Sequence, residues 1–132
     1  MWLLTQGPFK ILLLGDLSRE GMRELANQHP QLKVQVVVLN RPSEEVTPNG
    51  YWLSSLDPWV LIISGIPAGR EDSWFNHLET MPALDQAKIL STGRSGAITL
   101  NITQETLRVE QGLGPTLQWR RSDHPRPQKA SP

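Results

Sequence analysis

The chain contains no cysteine, which removes disulfides, thiolate zinc sites and cysteine nucleophiles together. Three histidines remain, His29, His77 and His124. Their spacing gives no convergence with carboxylates, so neither a metal nor any other cofactor is expected. Charge of either sign is not in excess: 13 basic side chains stand against 13 acidic ones, with no run of five or six alike. Surfaces that hold nucleic acid or an anionic membrane need such an excess, so neither partner is expected. No apolar run approaches the roughly 20 residues of a membrane span. The opening Met1-Trp2-Leu3-Leu4 is interrupted by Thr5, Gln6 and Pro8 and has no basic residue before it. It reads as neither signal peptide nor span, and a soluble, cytoplasmic protein is the expectation. No loop matches the GxGxxG or P-loop pattern, and no internal repeat is evident.

What is there fits one domain. At 132 residues the chain is long enough to bury a core and too short for two independent ones. Residues 1–120 are assigned to that domain. The segment 121–132 (RSDHPRPQKASP), with its prolines and no large apolar side chain, is expected to be a disordered tail. Five tryptophans against two phenylalanines and one tyrosine is an unusual aromatic balance. Most of Trp2, Trp52, Trp59, Trp74 and Trp119 are expected to pack the core and its rim. Trp52 and Trp74, near loops, are candidate partner anchors, because tryptophan concentrates binding energy at interfaces.

Hydrophobic periodicity orders the elements. Phe9 to Leu14 is a short apolar run between Pro8 and Gly15, the pattern of a strand buried on both faces. Asp16 or Ser18 can cap a helix carrying Met22, Leu25 and Ala26, which His29-Pro30 ends. Lys33 to Leu39 is β-branched and reads as a second strand, completing a βαβ unit whose crossover is right-handed. Arg41 to Pro58 is a long loop around Tyr51-Trp52-Leu53, with a helical turn at Trp52 to Leu56. Trp59 to Ile63 is the third strand. A helix bearing Trp74, Phe75 and Leu78 comes next, and Ala87 to Ser91 is the fourth strand. Beyond Gly96 the period becomes two: Ile98, Leu100 and Ile102, then Leu107 and Val109, then Leu117 and Trp119, an antiparallel meander covered on one face. The fold class expected is α/β, a small open, mostly parallel three-layer sheet (βαβ, loop, βαβ) with an antiparallel C-terminal meander.

One motif invites a chemical reading. Gly15-Asp16-Leu17-Ser18, with Asp123-His124-Pro125 late in the chain, resembles the GDSL-type esterases, where a serine just after a strand-ending GD is the nucleophile and a late DxxHP supplies the histidine. The resemblance covers these few residues and implies hydrolase chemistry. The chain departs from the pattern at Leu17, which stands where the nucleophile would be. It departs again at Asp123, which abuts His124, and at the loop Ser64 to Gly69, which lacks an oxyanion asparagine. Asp16 at a strand end is also similar to receiver domains, but their further acidic pair and late lysine are not found. The economical reading is mechanical: glycine lets the backbone turn, and Asp16 or Ser18 satisfies the free N–H groups that begin a helix. The sequon Asn101-Ile102-Thr103 falls inside a predicted strand and reads as chance.

A second candidate comes from topology. In an open parallel sheet the loops after the strands share one rim, where ligands tend to sit. Asp16, Ser18, Arg41, Arg70, Thr92, Arg94 and Ser95 are placed there as groups able to hold a phosphate or carboxylate. With no convergent titratable cluster, no catalytic residues are assigned. The function expected is a non-catalytic protein-binding or assembly subunit, docking a partner segment on Tyr51, Trp52, Trp74 and the Trp119 strand. A small anionic-ligand binder using the rim is the alternative, and an esterase the third reading.

Overall fold

The computed structural model describes residues 1–15, 18–40, 50–65, 76, 78, 80–81, 84–122 and 128–129. The chain starts with a hairpin that periodicity did not reveal. Strand β1 (Trp2–Gln6) returns as β2 (Phe9–Gly15) through Gly7-Pro8, with Gln6 paired to Phe9 across the turn. Gly7 takes a positive φ of 56°, which a two-residue turn demands at its first position and which a Cβ would oppose.

Helix α1 (Arg19–Gln28) comes after β2. Its cap is Ser18, whose hydroxyl accepts the Gly21 N–H. The helix ends at His29, which donates its N–H to the Leu25 carbonyl before Pro30. Next come β3 (Val36–Asn40), α2 (Gly50–Ser55), β4 (Val60–Ser64), β5 (Lys88–Ser91) and the single turn α3 (Thr92–Ser95). Asn76, Leu78 and Thr80 are helical between β4 and β5. The Lys33 ammonium donates to the Ser55 carbonyl at the C-terminal end of α2, where a cation is favoured. Asp57 then turns the chain with a φ of 52°.

The first sheet has the order β1-β2-β3-β4-β5. β1 is antiparallel to β2, and β2 to β5 are parallel. Gln35 ties the strand beginnings together: its side-chain oxygen accepts the Lys10 N–H at 2.7 Å, and its carbonyl accepts from Trp59 and Val60. The second sheet is antiparallel, β6 (Ile98–Ile102), β7 (Thr106–Gln111), β8 (Leu117–Arg120) and β9 (Gln128–Lys129), in that order. Within 121–132, expected to be a disordered tail, Gln128 and Lys129 pair with β8, and 123–127 and 130–132 lie outside the described residues.

This arrangement corrects the expected fold class. Among the described residues the protein is mostly β, 44% strand against 22% helix, and it is not an open three-layer α/β sandwich. The reason lies in the strand order. Four parallel strands laid side by side in chain order, joined by crossovers of one hand, carry every crossover on the same face. Leu12, Leu14, Val37, Leu39, Leu61 and Ile63 accordingly pack with Met22, Leu25, Trp52, Leu53, Leu56 and Leu78 on that face. The alternate residues Phe9, Ile11, Val36, Val60 and Ile62 are equally apolar. They are covered by Leu107, Val109, Leu117 and Trp119 of the second sheet. The meander that looked like an extension is the other half of the core. Among the described residues no helix is long and apolar enough to cross a membrane.

Candidate functional site

The rim after the parallel strands is where the sequence places a small ligand. A doubly wound sheet opens a crevice where its strand order reverses, and here the order never reverses. The groups brought together at this rim are bonded to one another. Ser18 is occupied as the cap of α1. Thr92 Oγ1 accepts the Gly65 N–H at 3.2 Å, tying the ends of β4 and β5. Ser91 Oγ accepts the Arg94 N–H at 3.2 Å. Ser95 is buried and its carbonyl accepts the Leu113 N–H at 2.8 Å. Arg94 is exposed and already engaged in an interaction. Asp16, Arg41 and Arg70 lie outside the described residues. Of the expected ligand set, the structure thus joins Thr92, Arg94 and Ser95 around one short turn, while Ser18 serves α1. The serine of GDLS is a helix cap.

The aromatic candidates fare differently from expectation. Trp52 is 4% exposed and Trp119 0%, so neither side chain meets solvent, and neither anchors a partner in this conformation. Trp52, near a loop in sequence, and Trp119, in the terminal meander, both sit on the inward face of their elements. Tyr51 lies in α2 and Trp74 lies outside the described residues. Trp59 packs edge-to-face on Phe9, 5.9 Å between ring centroids. The indole Nε1 of Trp119 is buried without a hydrogen-bond partner.

The residues that sequence reasoning missed are those of β1. All five are exposed, with Trp2 at 72%, Leu3 at 44% and Leu4 at 47%. Trp2, Leu4 and Gln6 stand opposite Leu13, Ile11 and Phe9, hence on the side of the second sheet, which does not reach far enough to cover them. Leu3 and Thr5 stand on the helix side and are equally uncovered. β1 is also terminal in its sheet, so its outer backbone groups face solvent. The signal that was available is Gly7-Pro8, a two-residue turn between two apolar runs with glycine first.

The other described edges differ from β1. β5 carries an exposed Lys88, β6 presents Thr99 and Asn101 outward, and β9 has only two residues and ends in Lys129. An open groove of about 720 Å³ crosses the outer face of the second sheet, lined by Glu105, Thr106, Gln118, Arg120, Arg121 and Ser122. Its charges are paired, Arg121 reaching Glu105 at 3.9 Å, and it holds no nucleophile with a base. Among the described residues there is no group of three side chains that could hold a metal ion. No family model, curated protein or solved structure matches the chain.

Proposed function

We propose that the chain is a non-catalytic protein-binding subunit that receives a partner strand along β1. The observation that carries the reading is one uncharged edge, Trp-Leu-Leu-Thr-Gln, uncovered on both faces. Natural sheets protect exposed edges with lysine, proline, bulges or extreme shortness; β5 and β9 do so here, and β6, though uncharged, has its apolar side chains turned to the covered face and only Thr99 and Asn101 exposed. An edge left open supplies main-chain hydrogen bonds for affinity and alternate side chains for selectivity. The partner on this reading is a protein segment and not nucleic acid, and the docking point moves from Trp52 and Trp119 to Trp2, Leu3 and Leu4. Cytoplasmic residence belongs to this reading as an expectation, to which a sequence without cysteine is neutral.

The test is capture with the full chain, wild type beside Leu3→Pro, followed by amide exchange on the complex. The expected result is a stoichiometric partner that protects the Leu3 and Thr5 amides and is lost with Leu3→Pro. A partner retained in full by Leu3→Pro refutes docking at β1.

A further inference from the structure

We propose that the occupant of β1 is a second copy of this chain, paired antiparallel across a twofold axis at Leu3, so that two five-stranded sheets join into one of ten. This rests on the strand-addition reading of β1 and names its partner.

The backbone decides which groups are offered. In a two-residue hairpin the flanking pair exchanges both of its hydrogen bonds. That pair is Gln6 and Phe9. Alternation then turns Leu4 and Trp2 toward β2 as well, and leaves the N–H and C=O of Leu3 and Thr5 pointing out from the edge. An antiparallel strand bearing outward donors and acceptors in alternation is complementary to its own copy, and a twofold axis closes the assembly at two chains. No charged side chain lies in Trp2–Gln6, so self-pairing sets no like charges against each other. The same operation at β5 or β9 would bring lysine toward lysine.

Side chains select the register. With Leu3 opposite Leu3 of the second copy, Trp2 stands opposite its Leu4 on one face, twice over, and the two Leu3 side chains meet on the other. Centring the axis on Leu4 instead sets Trp2 against Gln6 and Leu3 against Thr5, apolar against polar. The Leu3 register is the one that hides the exposed surface. Scaled from the ~150–250 Å² of a large side chain, Met1, Trp2, Leu3 and Leu4 leave roughly 400–500 Å² uncovered. Complete cover in two copies would come to about 900 Å² of side chain, a ceiling that lies just under the ~1,000 Å² where specific interfaces begin. An interface of that size is reversible, with monomer and dimer exchanging.

The absence of native cysteine permits a direct test on the full chain. Sedimentation from about 1 to 500 µM should show a monomer giving way to a dimer, as expected for an interface at the lower size limit. Leu3→Pro removes an outward N–H but no bond to β2, and should raise the dissociation constant about tenfold or more, with circular dichroism unchanged. Under mild oxidation Leu3→Cys should give a covalent dimer. Leu4→Cys should not, because its two copies stand farther apart than the ~7 Å a disulfide tolerates. A wild-type monomer at every concentration, or efficient cross-linking of Leu4→Cys with none of Leu3→Cys, overturns the proposal. In the first case a different captured protein that protects the Leu3 and Thr5 amides would leave strand addition standing, whereas binding indifferent to Leu3→Pro removes both.

Discussion

Replacing Trp119 with phenylalanine tests how the two sheets are held together. Trp119 is fully buried and lies among Phe9, Ile11, Val36, Trp59, Leu107 and Leu117. By size alone it should be among the most costly residues to change, and truncation to alanine should cost about 3–5 kcal/mol. Phenylalanine divides that cost into two opposed parts. Shortening the ring system forfeits on the order of 1 kcal/mol of apolar transfer and leaves a void on the order of 40 Å³, worth about 1 kcal/mol more at ~24 cal/mol per Å³. Against this, the indole N–H of Trp119 is buried with no acceptor, and removing an unsatisfied buried donor returns about 1–3 kcal/mol. The two nearly cancel, so Trp119→Phe should lie within about 1 kcal/mol of wild type while Trp119→Ala loses several. Urea unfolding followed by far-ultraviolet circular dichroism, at a few micromolar to stay below association, measures both from the midpoint at constant slope. A loss above about 2 kcal/mol in Trp119→Phe would show that the indole N–H is bonded in solution and that the void estimate is not the controlling term.

Three further outcomes rest on the same geometry. Ser18→Ala removes the cap of α1 and should cost about 1 kcal/mol by urea unfolding; a change near zero would mean that another group takes over the Gly21 N–H. Gly7 and Gly15 both have positive φ, but a Cβ at Gly7 would meet the Gln104 backbone at 3.3 Å whereas one at Gly15 meets open space. Gly7→Ala should therefore destabilise more than Gly15→Ala, which carries only the ~1–2 kcal/mol backbone cost of the left-handed region; equal effects would argue that the turn moves away from Gln104. Phosphate, nucleotides and sugar phosphates should leave the melting midpoint unchanged, because a ligand of the folded state alone must raise it. A shift abolished by Arg94→Ala would restore the rim as a ligand site.

Much of the local structure is legible because it depends on neighbours in sequence. The apolar runs of β2, β3 and β4, the cap at Ser18, and the alternation of Ile98, Leu100, Leu107, Val109, Leu117 and Trp119 all derive from side-chain periodicity and backbone stereochemistry. That same alternation assigns Trp119 to the covered face, so the meander can offer a partner its edge but not this side chain. The edge β1 is hard to read from periodicity because its four apolar residues, interrupted by Thr5, Gln6 and Pro8, are too few to show a period, and only the hairpin chemistry of Gly7-Pro8 marks it.

By itself, then, the sequence determines that strands with no polar face lie over Phe9 to Leu14, Lys33 to Leu39 and Trp59 to Ile63, which the structure bounds at Phe9–Gly15, Val36–Asn40 and Val60–Ser64, and that the strands beyond Gly96 are antiparallel. It does not determine what covers each face. A strand apolar on both sides reads the same whether helices lie on both faces or helices on one and a second sheet on the other. Only strand order distinguishes these, and order is set by contacts between residues far apart in the chain. Sequential order sent the crossovers to one side, drew the meander over the other, closed Trp52 and Trp119 inside, and left Trp2, Leu3 and Leu4 beyond the reach of both layers.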